Sequence, residues 1–129
     1  MAERKPPQLL VCIACRAGTP VDPESPPPGR VLCDRLAALG QTASLQPTPV
    51  TCFGNCERGC TVLIAGAGKW AYLLGGLHPD NAADIVTYAD AYAKSDTGFV
   101  GRDARPASLR TAIVVRFPLH LMSTQERVP

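Results

Sequence analysis

The chain has 129 residues with 13 basic and 11 acidic side chains, so its formal net charge is +2. A chain of this length forms one domain around a single core, and 46% hydrophobic with 19% charged residues is typical of a globular protein. The small net charge and the aromatic content of 5% argue against nucleic acid as the main partner. No apolar run approaches the roughly 20 residues of a membrane-spanning helix. These numbers predict a soluble, single-domain protein that binds neither nucleic acid nor membranes.

The first apolar run, residues 9–15, is short for the core of a signal peptide, and Pro6 and Pro7 separate it from the basic residues before it. We interpret residues 8–13 as a first strand that is buried on both faces. We therefore expect the protein to remain in the cytoplasm. Cysteines in that reducing compartment more often bind metal or perform redox chemistry than form disulfides.

The first half of the chain continues with a loop, a helix and a second strand. Residues 16–30 are rich in proline and glycine and predict an extended surface loop. Residues 30–39 place leucines at helical spacing, and Gly40 is a typical C-terminal stop. Residues 43–51 contain two prolines, which suit an edge strand better than a central one.

The second half predicts a hairpin, a helix and a tail. Strands over residues 61–64 and 70–74 flank a glycine turn, which indicates a β-hairpin. Pro79 begins a helix, whose apolar side is Ala82, Ile85, Val86, Ala89 and Tyr92. Residues 96–129 form an irregular Arg/Pro-rich tail with one short strand candidate at 113–115.

The order β-α-β, β-hairpin, α predicts an α/β fold with a four-stranded mixed sheet and helices packed on it, which is the thioredoxin-like arrangement. Residues 1–95 form this domain, and we expect the tail 96–129 to pack on it or extend from it.

Five of the cysteines fall into two clusters, each where a strand ends and a loop begins. They are Cys12 and Cys15 in the first cluster and Cys52, Cys56 and Cys60 in the second. Because neighbouring parallel strands end at the same edge of a sheet, the two clusters can converge there. Four thiolates in one place are the ligand set of structural zinc and of iron–sulfur clusters alike, so the pattern leaves both open.

Three other candidates are interpreted as structural. Cys33 lies on the apolar side of the first predicted helix and is expected to pack in the core. His78 precedes Pro79 and suits a helix cap or the surface, and His120 lies in the tail without metal-ligand spacing. Neither histidine is nominated as a ligand. No hydrolytic or transferase constellation is present, so we expect an electron-transfer or metal-binding protein rather than an enzyme.

Several motifs of the stretch 52–92 carry a family resemblance. They are the C-x₃-C step Cys52–Cys56, the apolar strand 61–64, the hairpin motif Gly68-Lys69-Trp70-Ala71-Tyr72, and Gly75-Gly76-Leu77 two residues before Pro79, together with Leu10-Val11-Cys12 at the end of strand one. On these residues the chain resembles the thioredoxin-like [2Fe-2S] ferredoxins, a family also seen in one subunit of the bacterial respiratory NADH dehydrogenase. Its cysteine spacing and Arg/Pro-rich tail are also similar to a small bacterial group of predicted metal-binding proteins, whose members often lie near cobalamin-biosynthesis functions.

The resemblance implies a [2Fe-2S] cluster held by Cys12, Cys15, Cys52 and Cys56, with Cys15 the one cysteine in the loop where the second ligand belongs. The ferredoxins commonly have a proline where this chain has Cys60, which is therefore an alternative ligand or a ligand to a different metal. The implied function is a ferredoxin-like electron carrier or an electron-delivery accessory protein.

Two alternatives stay open: a zinc- or cobalt-type metal-binding or metal-handling protein on the same thiolates, and a thiol oxidoreductase using Cys12 and Cys15. The Pro-rich loop after Cys15 counts against the oxidoreductase, because it leaves no helix N-terminus near the thiols. Residues 102–127 carry five arginines against Asp103 and Glu126, a net charge of +3, and would offer a rim for an acidic redox partner. The family resemblance also implies a homodimer.

Overall fold

The computed structural model describes residues 7–16, 24–40 and 45–122. Two α-helices pack on one mixed sheet, whose strand order is β2-β1-β3-β4-β5. Strands β1 and β2 run parallel, and every other neighbouring pair is antiparallel. In chain order the elements are β1 (Gln8–Cys12), α1 (Pro28–Gly40), β2 (Pro47–Val50), β3 (Val62–Ala65), β4 (Ala71–Leu74), α2 (Ala82–Lys94) and β5 (Ile113–Phe117).

The predicted α/β class and mixed sheet are confirmed, but the sheet has five strands among the described residues instead of four. The additional strand is β5, which confirms the short strand candidate at 113–115, extends it to Phe117 and joins it to the sheet, although the segment around it was predicted as an irregular tail. It pairs with β4 along the outer edge of the sheet. Leu109 and Ala112, just before it, are buried in the core and hold the start of β5 against the domain.

One face of the sheet carries the hydrophobic core. Helix α1 contacts β1, β2 and α2, so both helices lie on that face. Successive side chains of a strand point to opposite faces, and in β1 Leu9 and Val11 are buried whereas Leu10 between them is half-buried. The prediction that β1 is buried on both faces holds only in part, because on the second face Gln8 is exposed and Leu10 half-buried, and only Cys12 at the end of the strand is buried.

Two local predictions from proline and histidine are confirmed. Strand β2, with Pro47 and Pro49, lies at the edge of the sheet, where a residue without an N–H is tolerated. His78 caps the 3₁₀ turn Pro79–Asn81 that leads into α2, since its Nδ1 accepts a hydrogen bond from the Asp80 N–H at 3.1 Å.

Helix α2 buries Ala82, Ile85, Tyr88, Ala89 and Tyr92. Val86, which the sequence placed on the apolar side, is half-buried, and Tyr88 is buried in addition. In the part of the chain that the structure describes, neither helix is long and apolar enough to cross a membrane.

Candidate metal centre

The two cysteine clusters lie at one end of the sheet because of the strand directions. The parallel strands β1 and β2 end there, and the antiparallel strand β3 begins there. Backbone hydrogen bonds continue the pairing beyond the strands: the Cys12 N–H donates to Thr61 O at 3.1 Å, and the Ile13 N–H donates to Val50 O at 2.9 Å. We call this end, formed by residues 12–15 and 52–60, the thiol end of the sheet.

The first loop is packed directly against the N-terminus of α1. The Gly29 N–H donates to Cys15 O at 3.0 Å. A Cβ atom at Gly29 would lie 2.0 Å from Cys12 O, so only glycine allows this approach. The expectation that no helix N-terminus lies near the C-x-x-C step is therefore wrong. The Pro-rich loop separates Cys15 from α1 along the sequence, but the chain returns so that α1 begins beside Cys15, and this removes one argument against thiol chemistry there.

The second loop is closed by an asparagine. The Asn55 side-chain amide donates to Thr61 Oγ1 at 3.1 Å and to Arg58 O at 3.4 Å, which ties the middle of the loop to the start of β3. Thr61 is buried, so this bond satisfies a polar group that water does not reach. Near the loop's beginning, Gly54 has a φ of +77° and donates its N–H to Cys52 Sγ at 3.1 Å.

The chain after β4 supports the same loop. The Gly76 N–H donates to Arg58 O, and a Cβ atom at Gly75 would lie 2.6 Å from Asn55 Nδ2. Asn55 and Gly75 are therefore positioning residues of the thiol end that the sequence analysis missed. The pair Gly75-Gly76 is the sequence signal for this support, because two adjacent glycines before Pro79 indicate a close approach of backbone.

Four of the five predicted cysteines can be placed from their side chains. The thiol of Cys12 interacts electrostatically with those of Cys15 and Cys52. The thiol of Cys60 interacts electrostatically with those of Cys15 and Cys12. Cys52 is exposed, whereas Cys12, Cys15 and Cys60 are buried. Cys56 begins the 3₁₀ turn Cys56–Arg58, and its side chain lies outside the described part of the structure.

Burial controls the protonation of the inner thiols. The pKa of Cys60 is raised to about 12. Burial is the main cause, and the nearby Cys15 and Cys12 thiols contribute in the same direction. Burial also raises the pKa of Cys12, against which hydrogen bonds from the backbone of Phe53 and Ala14 act in the opposite direction. Both groups are therefore neutral thiols at neutral pH, and a thiophilic metal would have to displace their protons on binding.

Among the described side chains, no three of His, Cys, Asp and Glu form a ready metal-binding group. The sulfur atoms at the thiol end are soft donors, of the kind that bind zinc, cobalt and iron–sulfur clusters. Cys33 lies apart from them, in the hydrophobic core on α1, and His120 lies against Trp70 with the two ring centroids 6.5 Å apart.

Residues 9–119 match the family described as protein of unknown function (DUF1636). The chain belongs to this family. No curated protein matches the sequence.

Solved structures with a similar fold include a thioredoxin-like [2Fe-2S] ferredoxin from Aquifex aeolicus, with a TM-score of 0.54 and 17% identity over 85% of this chain and 91% of that one. Another structure of the wild-type ferredoxin gives a TM-score of 0.53 and 18% identity over 84% and 96% of the two chains. A cysteine-to-serine variant of it gives a TM-score of 0.52 and 15% identity over 84% and 98%. These comparisons confirm the thioredoxin-like fold and, at the level of the fold, the resemblance that the cysteine spacing indicated.

Proposed function

We propose that this protein binds a [2Fe-2S] cluster at the thiol end of its sheet and acts as a ferredoxin-like electron carrier or electron-delivery accessory in the cytoplasm. The observation that carries the proposal is the convergence of thiols from separate loops. Cys12 ends β1, Cys15 follows it and Cys52 follows β2. The thiol of Cys12 interacts with those of the other two, in a fold similar to that of [2Fe-2S] ferredoxins.

The proposed ligands are Cys12, Cys15, Cys52 and Cys56. When bound, the cluster would supply one-electron transfer at a potential that depends on hydrogen bonds and solvent exposure. The chain contributes N–H groups aimed at sulfur, from Gly54 to Cys52 and from Phe53 to Cys12. Such donors stabilise negative charge on sulfur and so favour the reduced state.

The exposed side of the thiol end suits contact with a redox partner. Cys52 and Arg58 are both exposed on the second loop. The Gly75 N–H donates to Ala112 O, which brings the segment carrying the exposed Arg110 to the same end of the sheet. We propose an acidic docking surface on the partner, which would make the association rate fall with increasing ionic strength.

Not every arginine of the C-terminal segment is available for this role. Arg116 lies over the Trp70 ring at 5.0 Å, and Arg105 donates to Arg110 O at 3.0 Å. Arg127 lies outside the described residues. The homodimer that the family resemblance implies stays a prediction, which sedimentation of the purified protein tests.

A second candidate function is the binding or handling of a single zinc or cobalt ion. Cys60 is the observation that favours it, because a fifth thiol adjoins Cys12 and Cys15 and allows a different set of four thiolates. The cobalamin association of the resembling group is part of this alternative.

Anaerobic purification distinguishes the two functions. A brown protein that bleaches on reduction and contains iron and sulfide in equal amounts supports the cluster. A protein without sulfide that contains one zinc ion per chain and is colourless, or one cobalt ion per chain and is green or blue, supports the alternative. A colourless metal-free protein contradicts both.

Ligand identity is tested with matched alanine variants. We expect Cys56→Ala to abolish metal binding and Cys33→Ala to retain it, because Cys33 packs in the core. Equal metal content in the two variants would remove Cys56 from the proposed ligands. Circular dichroism of both variants controls for folding.

A further inference from the structure

The C-terminal part of the chain reaches the thiol end through an irregularity in the sheet. The pairing of β4 with β5 shifts register at the end of β4, where Ile113 and Val115 have partners on β4 and Val114 between them has none. An extra residue of this kind redirects its side chain. Here Val114 Cγ2 lies against Gly75, at 2.7 Å from the position that a Cβ atom of residue 75 would take.

The space beside Gly75 is shared with the second cysteine loop. The same Cβ atom would lie 2.6 Å from Asn55 Nδ2 and 3.0 Å from Arg58 O. Any side chain at this position would therefore have to displace Asn55, Val114 or both. Because glycine has no side chain, the loop and the start of β5 can pack against the same residue.

Backbone hydrogen bonds make the same connection. The Gly75 N–H donates to Ala112 O at 2.8 Å, and the next N–H, that of Gly76, donates to Arg58 O. Two consecutive N–H groups therefore join the C-terminal part of the chain to the second cysteine loop. Ala112 is buried in the core, so residues 109–114 are a fixed support.

Asn55 transmits this contact to the cysteines. Its amide closes the second loop by donating to Thr61 Oγ1 at 3.1 Å and to Arg58 O at 3.4 Å. It lies between Cys52 and Cys56 in the sequence. A change in the orientation of its amide would therefore alter the part of the loop that carries both cysteines.

We propose that residues 109–114 are part of the metal centre and hold the second cysteine loop in its closed arrangement. Val114 and the backbone of Ala112 fix the position of Gly75. Gly75 in turn keeps Asn55 oriented toward its loop, so Val114 is a positioning residue that acts through two others. The effect on metal binding rests on the proposed function, whereas the effect on the loop does not.

Alkylation of buried cysteines in the reduced, metal-free protein tests the contact. Cys60 is fully buried and its backbone is bonded to Leu77, so iodoacetamide reaches it only when the second loop opens. Cys33 is buried in the core on α1 and reports opening of the core instead. After digestion with trypsin each is the single cysteine of its peptide, so mass spectrometry measures both rates in one sample.

Two adjacent valines of β5 provide a matched pair of variants. Val114 lies against Gly75, whereas Val115 is 45% exposed. We expect Val114→Ala to raise the alkylation rate of Cys60 several-fold and to leave that of Cys33 unchanged. Val115→Ala should leave both rates at the wild-type value. A Val114→Ala protein in which Cys60 reacts at the wild-type rate, or in which Cys33 accelerates equally, overturns the proposal.

A double variant tests whether the two side chains share one space. Gly75→Ala should accelerate alkylation of Cys60 more than Val114→Ala does, because its methyl group meets both neighbours. When the two substitutions are combined, that methyl group can occupy the space of the lost valine methyls, so the rate should fall below that of Gly75→Ala. Effects that simply multiply would show that Val114 and Asn55 are independent and would overturn the connection through Gly75. If Gly75→Ala fails to fold, the valine pair decides the proposal alone.

Metal retention is measured separately on the anaerobically purified protein. With EDTA as competitor, we expect Val114→Ala to lose its metal several-fold faster than the wild-type protein and Val115→Ala. Equal rates of loss in the three proteins would overturn the link to the metal centre. A wild-type protein that binds no metal would contradict the proposed function, while alkylation of Cys60 would still decide whether residues 109–114 hold the loop.

Discussion

The thiol end and the tyrosine layer, which consists of Tyr72, Tyr88 and Tyr92 between the sheet and α2, are held together in different ways. In the thiol end, backbone carbonyls and N–H groups touch the cysteines and their neighbours, with Gly29 packed against Cys12 O. In the tyrosine layer large side chains fill the core, and the rings of Tyr72 and Tyr92 meet edge to face with centroids 6.2 Å apart.

The polar atoms of the two regions also differ. In the tyrosine layer, Tyr92 donates its hydroxyl to Trp70 O at 2.5 Å. The hydroxyls of Tyr72 and Tyr88 are buried without a hydrogen-bond partner in the described structure. Packing of large rings outweighs the loss of those hydrogen bonds, because burial of each aromatic side chain contributes more than a single net hydrogen bond.

The positions of side chains are specified by different means in the two regions. The layer tolerates an unpaired hydroxyl because apolar area stabilises it. The thiol end buries little apolar area in its loops, so close backbone contacts and hydrogen bonds such as those of Asn55 determine where each sulfur lies. Substitutions that disturb the backbone of the thiol end should therefore lower the free energy of unfolding most. Substitutions that remove only a hydroxyl from the tyrosine layer should lower it least.

The largest effect is expected from Gly29→Ala. A methyl group 2.0 Å from Cys12 O forces α1 away from the first loop, at a cost of about 3 kcal/mol. The free energy of unfolding in denaturant, measured on the reduced protein, checks this. Gly68→Ala is the matched control, since its Cβ meets open space and only its φ of +72° is unfavourable, which costs roughly 1 kcal/mol. Equal losses in the two variants would contradict the close packing at Gly29.

The next effect is a loss of stability in alkali that originates at the thiol end. Burial raises the pKa of Cys60 from 9.0 to about 12, so the unfolded chain releases this proton before the folded one does. The stabilisation is complete below pH 9 and is lost as pH rises toward 12, by about 1.4 kcal/mol per pH unit for one group.

The measurement is the free energy of unfolding of the reduced, metal-free protein at pH 8, 9 and 10. Cys60→Ser should flatten the decline above pH 9, although raised pKa values of Cys12 and Cys33 leave part of it. A decline of unchanged steepness in this variant would exclude Cys60 as its source.

The smallest effects are expected in the tyrosine layer. Tyr92→Phe removes the hydrogen bond to Trp70 O and should cost about 1 kcal/mol. Tyr88→Phe removes a hydroxyl that has no partner in the described structure, so it should leave the free energy of unfolding unchanged or slightly higher. Thermal unfolding of the two variants compares them directly, and a larger loss for Tyr88→Phe would show that its hydroxyl has a partner.

The sequence predicted much of the fold because those features depend on neighbouring residues. Alternation of apolar residues, Pro47 and Pro49 at an edge strand, the glycine turn of the hairpin and the cap at His78 are local patterns. The sequence indicated the strand at 113–115 but left it outside the sheet, because the pairing of β5 with β4 depends on burial of Leu109 and Ala112 by distant parts of the chain.

The candidate site divides in the same way. The amino-acid order is enough to show which cysteines stand at the ends of strands, because spacing and strand pattern are properties of the local chain. Tertiary packing places the start of α1 beside Cys15, Asn55 and Gly75 against the second loop, and Cys60 near Cys12 and Cys15. Contacts between residues 45 positions apart depend on how strands pair and helices return, and no local pattern of residue types encodes that distance.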